Sequence, residues 1–343
     1  MKEYFKSYIS KRQYILAIII LLIIFVTQSC KSPTAPMQDN LSPGSRNYTW
    51  VADTINNPYL DFYNIWGSSP SNIWTTGALM SDGVYHYSGQ KWSLDNRTYI
   101  SDPDAVWGYG NTVWIGNDKG CIWKFTDSSY IEELKDFQID GKFIDFVGMT
   151  GTSNNEIYAV GFNYTNPIIM KYDGNTWNID KTLPDTAIFN QIIYCAVNGK
   201  YYLRCPLSDN STRIYEYDKK ELKIIYNSTP SNSQPGLANI GGFLYIATSG
   251  GKIYKYNNGN MEFIFEVNNT NFGGAIWGRS RNDILIRMQD GIAQYNGTDW
   301  QYLFKSSTPI MLAPNSAVFN KDVFVPAKLR TTGYPIIYHG ILK

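Results

Sequence analysis

Histidine is almost missing from this chain of 343 residues: only His86 and His339 occur. Imidazole-based metal sites and Ser-His or Cys-His catalytic groupings therefore lack their usual raw material. The sequence also holds no H-E-x-x-H, no G-x-x-x-x-G-K-[ST], and no G-x-S-x-G in a strand-to-helix setting. Charge is sparse, at 17% of residues, and balanced: 30 Lys and Arg against 29 Asp and Glu give a net +1. That balance excludes the basic surface a nucleic-acid binder needs. Cysteine is rare at four residues, none in a C-x-x-C arrangement, so no zinc or redox site is expected. Helical periodicity is absent as well. What the chain does have is aromatic weight: 27 Tyr, 10 Trp and 16 Phe, a composition suited to short strands in packed sheets.

The N-terminus stands apart. Lys2, Lys6, Lys11 and Arg12 precede 13 apolar residues, Tyr14 to Val26, too few for a membrane span of about 20. Thr27-Gln28-Ser29-Cys30 follows. The segment resembles a bacterial lipoprotein signal, which implies cleavage after residue 29 and lipidation of Cys30. Thr27 and Gln28 depart from the stricter form of that signal, and an ordinary signal peptide or an uncleaved anchor is the alternative. Residues 30–46 carry Pro, Ser and Gly without apolar periodicity and are expected to be a flexible tether. Loss of residues 1–29 removes four positive charges and one negative from the net +1, leaving about −2. Lys31 after Cys30 is compatible with outer-membrane sorting.

From residue 47 onward one unit recurs. Its clearest copy is Ile65–Trp92: a strand with Ile65-Trp66-Gly67, a second anchored by Ile73-Trp74, a third at Val84-Tyr85-His86-Tyr87, and a fourth carrying Trp92. The second-strand anchors are Trp74, Trp114, Tyr158, Tyr202, Tyr245, Leu285 and Phe324, spaced 40, 44, 44, 43, 40 and 39 residues apart. Third strands repeat an apolar, apolar, polar, aromatic order, as in Ile122–Phe125, Ile169–Tyr172, Ile214–Tyr217, Ile253–Tyr256 and Ile292–Tyr295, with the seventh copy ambiguous by one residue near Ile336–His339. Ser88-Gly89, Asp173-Gly174, Asn258-Gly259 and Asn296-Gly297 supply hairpin turns. A strand-only repeat of this period predicts an all-β, seven-bladed β-propeller over 47–343. The seventh unit ends without a fourth strand, whereas residues 47–54 are a spare fourth-type strand whose Trp50 matches Trp92, Trp177 and Trp300. That strand is expected to complete the last blade, which otherwise leaves two open edges.

The motifs of Ile65–Trp74 and Val84–Trp92 resemble bacterial propeller repeats of the pattern WGSSPNDVWAVG…ILHYDGTTW, including lipid-anchored envelope members, over nearly the whole mature chain. The resemblance implies fold rather than activity. Some members carry a glucosyltransferase label, but no nucleotide-binding βαβ unit is present to support it.

His86 shares its slot with Lys124, Lys171, Glu216, Lys255 and Gln294, which marks a blade position rather than a catalytic one. Cys195 and Cys205 flank Asn198-Gly199. A two-residue hairpin there would set Cys195 opposite Tyr202, and a disulfide would then need a bulge or shift. Loop variation gathers on one face: 78–83, 162–167, 206–212, 327–334 and the link 127–145. That face is the expected binding face, with Arg97, Tyr99, Asp118, Lys119, Tyr164, Asp209, Arg287, Gln289, Arg330 and Tyr334 as its candidate residues. The leading expectation is a non-catalytic, lipid-anchored envelope protein that binds a protein or glycan, with no cofactor, no metal and no nucleic-acid partner. A carbohydrate-active enzyme is the first rival and would need two converging carboxylates. Asp61, Asp104 and Asp145 precede successive first strands, a placement that blade geometry also explains. An assembly scaffold is the second rival, recognisable by a flat apolar patch on a blade edge.

Overall fold

The computed structural model describes residues 43–78, 83–163, 166–183, 188–231 and 234–343. Cys30, the lipoprotein-type signal and Tyr164 lie outside the described residues. Six four-stranded antiparallel sheets follow one another in sequence order, with first strands Asp61–Ser69, Pro103–Tyr109, Asp145–Ser153, Gln191–Cys195, Gly236–Ile240 and Phe272–Ser280. The seventh sheet divides its first strand into Ile310–Leu312 and Ala317–Val318. It continues through Asp322–Leu329 and Pro335–Leu342, and takes its outermost strand, Tyr48–Thr54, from the start of the chain. The first strands of neighbouring blades meet around the centre, and blade 7 meets blade 1. The expected seven-bladed propeller, closed by an N-terminal strand, is therefore present.

The apolar side chains divide into seven buried clusters, one to each seam between neighbouring blades. This explains the unbroken apolar runs in the second strands: each is sandwiched by a blade on either side, so both of its faces are dry. Ile157, Tyr158, Ala159 and Val160 are all fully buried. The Trp-Gly pairs of the first strands have a related cause. A Cβ on Gly108 would stand 2.6 Å from the Trp66 ring, and one on Gly151 would stand 2.8 Å from Trp107. The benzo edge of one blade's indole abuts the glycine of the next.

The polar slot of the third strand also has a packing role. His86 stacks on the anchor Trp74 at 4.3 Å and His339 on Phe324 at 4.0 Å. Lys124 and Lys171 hold their ammonium groups over Trp114 and Tyr158. Each histidine Nε2 also bonds, at 2.8 Å, the Asx side chain that opens the second strand, Asn72 or Asp322. Burial lowers the pKa of His86 from its ordinary value. The slot assignment also settles the seventh copy, since Phe324 pairs with His339 and the aromatic position is Gly340. Trp50 pairs with Gly340 and covers it, so a Cβ there would meet the indole at 2.7 Å.

One register differs from expectation. Cys195 pairs with Lys200 rather than Tyr202, because the connection is a four-residue loop with Gly199 at positive φ, not a two-residue hairpin. Cys121, Cys195 and Cys205 are buried and unbridged, and burial pushes the Cys121 thiol up to about 11.

The clasp strand pairs with Pro335–Leu342 through seven consecutive residues without a bulge. The outermost pairings of blades 2 to 6 each carry a bulge in the fourth strand, opposite the same place in the third. Trp50 also packs on Phe304 of blade 6 at 4.9 Å, and the Tyr48 hydroxyl accepts from Arg279 at 2.8 Å. Upstream, Gly44 donates to the carbonyls of Asn282 and Asn296, and Arg46 pairs with Asp299 at 2.9 Å. These partners are turns on the face opposite the starts of the first strands. Deletion of residues 47–54 should strip blade 7 of its outer strand and expose the edge of Pro335–Leu342. The expected result is a loss of several kcal/mol, on the order of 3–5, and a broadened denaturant transition. A sharp transition at the wild-type midpoint would show that the clasp is dispensable.

Candidate binding site

The first strands start on the face that carries the second-to-third loops and the links between blades, and there the centre of the ring opens into two adjoining hollows. One has a volume of about 810 Å³ and the other about 610 Å³, with Arg204 and Pro314 common to both.

Amides and carbonyls of the first strands stitch the wall of the larger hollow across the seams. Asn315 of blade 7 donates to Asn64 Oδ1 of blade 1 at 2.6 Å. Asn64 in turn donates to the carbonyl of Asp104 at 2.6 Å and that of Val147 at 3.2 Å. Thr76 adds a bond to the Asp104 carbonyl at 3.0 Å. On the far side Gln191 donates to Leu237 O and Asn239 to Tyr194 O. These bonds span six blades and fix the rim from which the charged side chains project.

The acidic side is built by blades 2 and 3. A register shift between Pro103 and Ala105 leaves Asp104 as a bulged residue, and it lines the hollow with Asp102, Asp118 and Asp145. Bulges re-aim a side chain in this way. Asp104 and Asp145 are in hydrogen-bond contact with each other, and the Oδ1 atom of each is buried without a partner. Burial, reinforced by the charge of Asp145, raises Asp104 far above the carboxylate range; burial also raises Asp145, opposed by the hydrogen bond from Asp104. The pair therefore holds a proton into the neutral range. Asp61 does not join it: it pairs with Lys328 at 2.5 Å. The three aspartates are thus not one repeated position. Asp61 and Asp145 face the equivalent residues Ala78 and Phe162, whereas Asp104 stands at the bulge.

The basic side lies in the smaller hollow, which Arg204, Arg287 and Arg330 line together with Gln234 and Gln289. Arg204 donates to Asn190 Oδ1 at 2.9 Å and to Pro235 O at 3.2 Å. Arg287 donates to Gly273 O at 2.9 Å, and Arg330 to Ile310 O at 3.2 Å.

Of the ten residues singled out from the sequence, Asp118, Arg287, Gln289 and Arg330 line the hollows, and Lys119 is tied to Asp118 at 2.8 Å. The other described ones stand elsewhere. Arg97 is held by Asp95 at 2.7 Å and lies over Trp74 and Phe125 in the seam between blades 1 and 2. Tyr99 is exposed, Asp209 closes a turn onto Ser211, and Tyr334 is tied by its backbone to Leu329. Sequence reasoning missed Arg204, although a signal existed. Arg204 and Arg287 both stand two residues after their blade anchors, where other blades have Thr76, Gly116, Val160, Ala247 and Pro326. No grouping of His, Cys, Asp and Glu suited to a metal ion occurs among the described residues.

No family model matches the chain, and no curated protein matches it. Solved structures similar to it are propellers. A catalytically inactive virginiamycin B lyase from Staphylococcus aureus, solved with quinupristin, superposes with a TM-score of 0.66 at 14% identity, covering 86% of this chain and 100% of that one. YCF48 bound to D1 peptide gives 0.65 at 15% identity, covering 90% and 99%. The WD40 domain of Neurospora crassa Pan2 gives 0.59 at 13%, covering 86% and 96%. At these identities the likeness is one of fold alone.

The shared proton makes stability depend on pH. Because folding raises the carboxyl pKa values, the pair's contribution is whole below the ordinary carboxylate range and is lost as pH rises towards about 8. Asp104→Asn keeps a donor to Asp145 and removes the titration. Relative to wild type it should gain on the order of 2–3 kcal/mol between pH 5 and pH 9 in urea unfolding. Parallel pH profiles for the two proteins would refute the shared proton.

Proposed function

We propose that this protein is a non-catalytic, lipid-anchored binding protein of the cell envelope, which presents the hollow-bearing face of its propeller to a protein or glycan partner. One observation carries the reading. The centre of the loop-bearing face is open, and it is lined by carboxylates on one side and guanidinium groups on the other. Such a divided surface selects partners by charge complementarity. The path of the chain agrees with it. Residues 43–46 cross the turns of blade 6 on the face opposite the hollows. The resemblance of the repeats to lipid-anchored envelope propellers points the same way.

The rival readings fit less well. Asp104 and Asp145 touch, whereas a retaining glycosidase pair stands about 5 Å apart and an inverting pair further. A flat docking patch on a blade edge is also missing from the outer strands that are described. Their large exposed apolar side chains are dispersed: Val51, Leu94, Ile179, Ile224 and Phe263 belong to five different blades, and Tyr130 and Ile131 are successive residues of one strand and so point to opposite faces.

Two measurements test the reading. Cys30→Ser should move the protein from the membrane fraction to the soluble fraction and abolish incorporation of labelled palmitate. In a pull-down from envelope extract, replacing the hairpin 138–143 on the hollow-bearing face by a short turn should lose partners that a change in the 296–299 turn retains. Equal capture by both variants would refute the choice of face.

A further inference from the structure

We infer that the smaller hollow is an oxyanion-binding site, built by Arg204, Arg287 and Arg330 to take a ligand with one terminal carboxylate, sulfate or phosphate group. The inference deepens the binding reading above and rests on it for the choice of face.

The first support is charge without compensation. Three guanidinium groups from blades 4, 6 and 7 line one cavity of about 610 Å³, and none has a carboxylate partner among the described residues. Four arginines elsewhere follow the opposite pattern: Arg46, Arg97, Arg279 and Arg281 are each paired with an acid. Their neighbours weaken Arg204 and Arg287 rather than neutralise them. Burial brings Arg204 down to about 10, with the charge of Arg287 as the next cause, and Arg287 is lowered by burial and then by Arg330. Folding has thus gathered three cations, of which Arg204 and Arg287 are partly stripped of water while Arg330 stands exposed at the mouth, a cost that an anion would offset.

The second support is unused hydrogen-bonding capacity. Each guanidinium has five N–H donors. Arg204 uses two in bonds to the protein, and Arg287 and Arg330 use one each. These bonds hold the groups in place through Asn190 and the carbonyls of Pro235, Gly273 and Ile310, and they leave the remaining donors for a ligand. A planar fork held in this way suits the paired oxygens of a carboxylate or an ester of sulfate or phosphate.

The third support concerns what surrounds the cations. Gly273, Gly274, Ala275, Ile310 and Leu312 give the hollow a small-residue and apolar wall, on which charge–charge attraction is less screened than at an open surface. The adjoining hollow carries Asp102, Asp104, Asp118 and Asp145. Those carboxylates disfavour a second anionic group alongside the first. A ligand with one terminal oxyanion therefore fits better than a continuous polyanion.

The test uses the full-length protein in detergent and follows thermal unfolding at constant ionic strength. The probes are sodium sulfate, sodium phosphate and sodium acetate, each compared with sodium chloride. Wild type should show a saturable stabilisation by at least one oxyanion that chloride does not reproduce. Arg287→Gln and Arg330→Gln should each weaken the apparent affinity by about tenfold or more. Arg97→Gln, altered at a cation already paired with Asp95, should leave it unchanged. A stronger response to acetate assigns a carboxylate ligand, and a stronger response to sulfate or phosphate assigns an ester. Shifts that chloride reproduces, or that are equal in wild type and both Arg variants, would overturn the site. Because these probes need no partner protein, failure of the envelope pull-down leaves this result standing, and the reverse also holds.

Discussion

Everything in this protein depends on the packing of one blade's flat face against the next. A four-stranded sheet of this size has no interior of its own. Its apolar residues become a core only when another sheet covers them, and each of the seven buried clusters is shared by two blades. A row of seven would leave two dry faces exposed, and closing the row into a ring removes both. Closure fixes the sum of the seven angular steps, so the close approach of neighbouring first strands is a requirement rather than an ornament. The indole of Trp66 on Gly108 and that of Trp107 on Gly151 meet it where a Cβ would hold the strands apart. The Trp-Gly signature, which resembles a recognition motif when met once, is the hinge of the ring.

The same dependence explains which features were legible. Every blade solves one packing problem, so the solution is written seven times. Anchors, turns and the polar slot of the third strand could be averaged over copies until the pattern was plain. Even the borrowed strand could be inferred, because Trp50 filled a place the last unit lacked. The hollows are different. They are the part of the ring where copies diverge, and repetition offers no help with what occurs once. Asp104 projects from a bulge that recurs in blades 1 and 3, but there the bulged residues are Tyr63 and Val147, so only blade 2 puts a carboxylate at it. Arg204 was hidden in an apolar second strand, and comparison with Arg287 at the equivalent position was the clue to it. Loop length pointed to the face on which the hollows open but favoured exposed loop residues such as Tyr99 and Asp209 over side chains at the ends of strands.

The hollows also show how a rigid frame tolerates unfavourable electrostatics. The Asp104–Asp145 contact and the unpaired arginines both oppose folding. They persist because the amide bonds of Asn64, Asn315, Gln191 and Asn239 tie the first strands to one another beneath them. Relief of the strain by local movement would break bonds in more than one blade. Ring proteins can carry such charge at their centre because the centre is the place least free to relax.

The way the chain enters the ring has a mechanical consequence. A pull applied upstream of Pro43 does not reach the clasp ladder first. It meets the Gly44 bonds to Asn282 and Asn296 and the fork of Arg46 on Asp299, all on blade 6. The clasp strand itself pairs with blade 7, so tension is carried across the seam between two blades before any rung of the ladder is loaded. The closing strand is thereby shielded from peeling at the end where the chain arrives, and the junction of greatest topological importance is not the one that yields first.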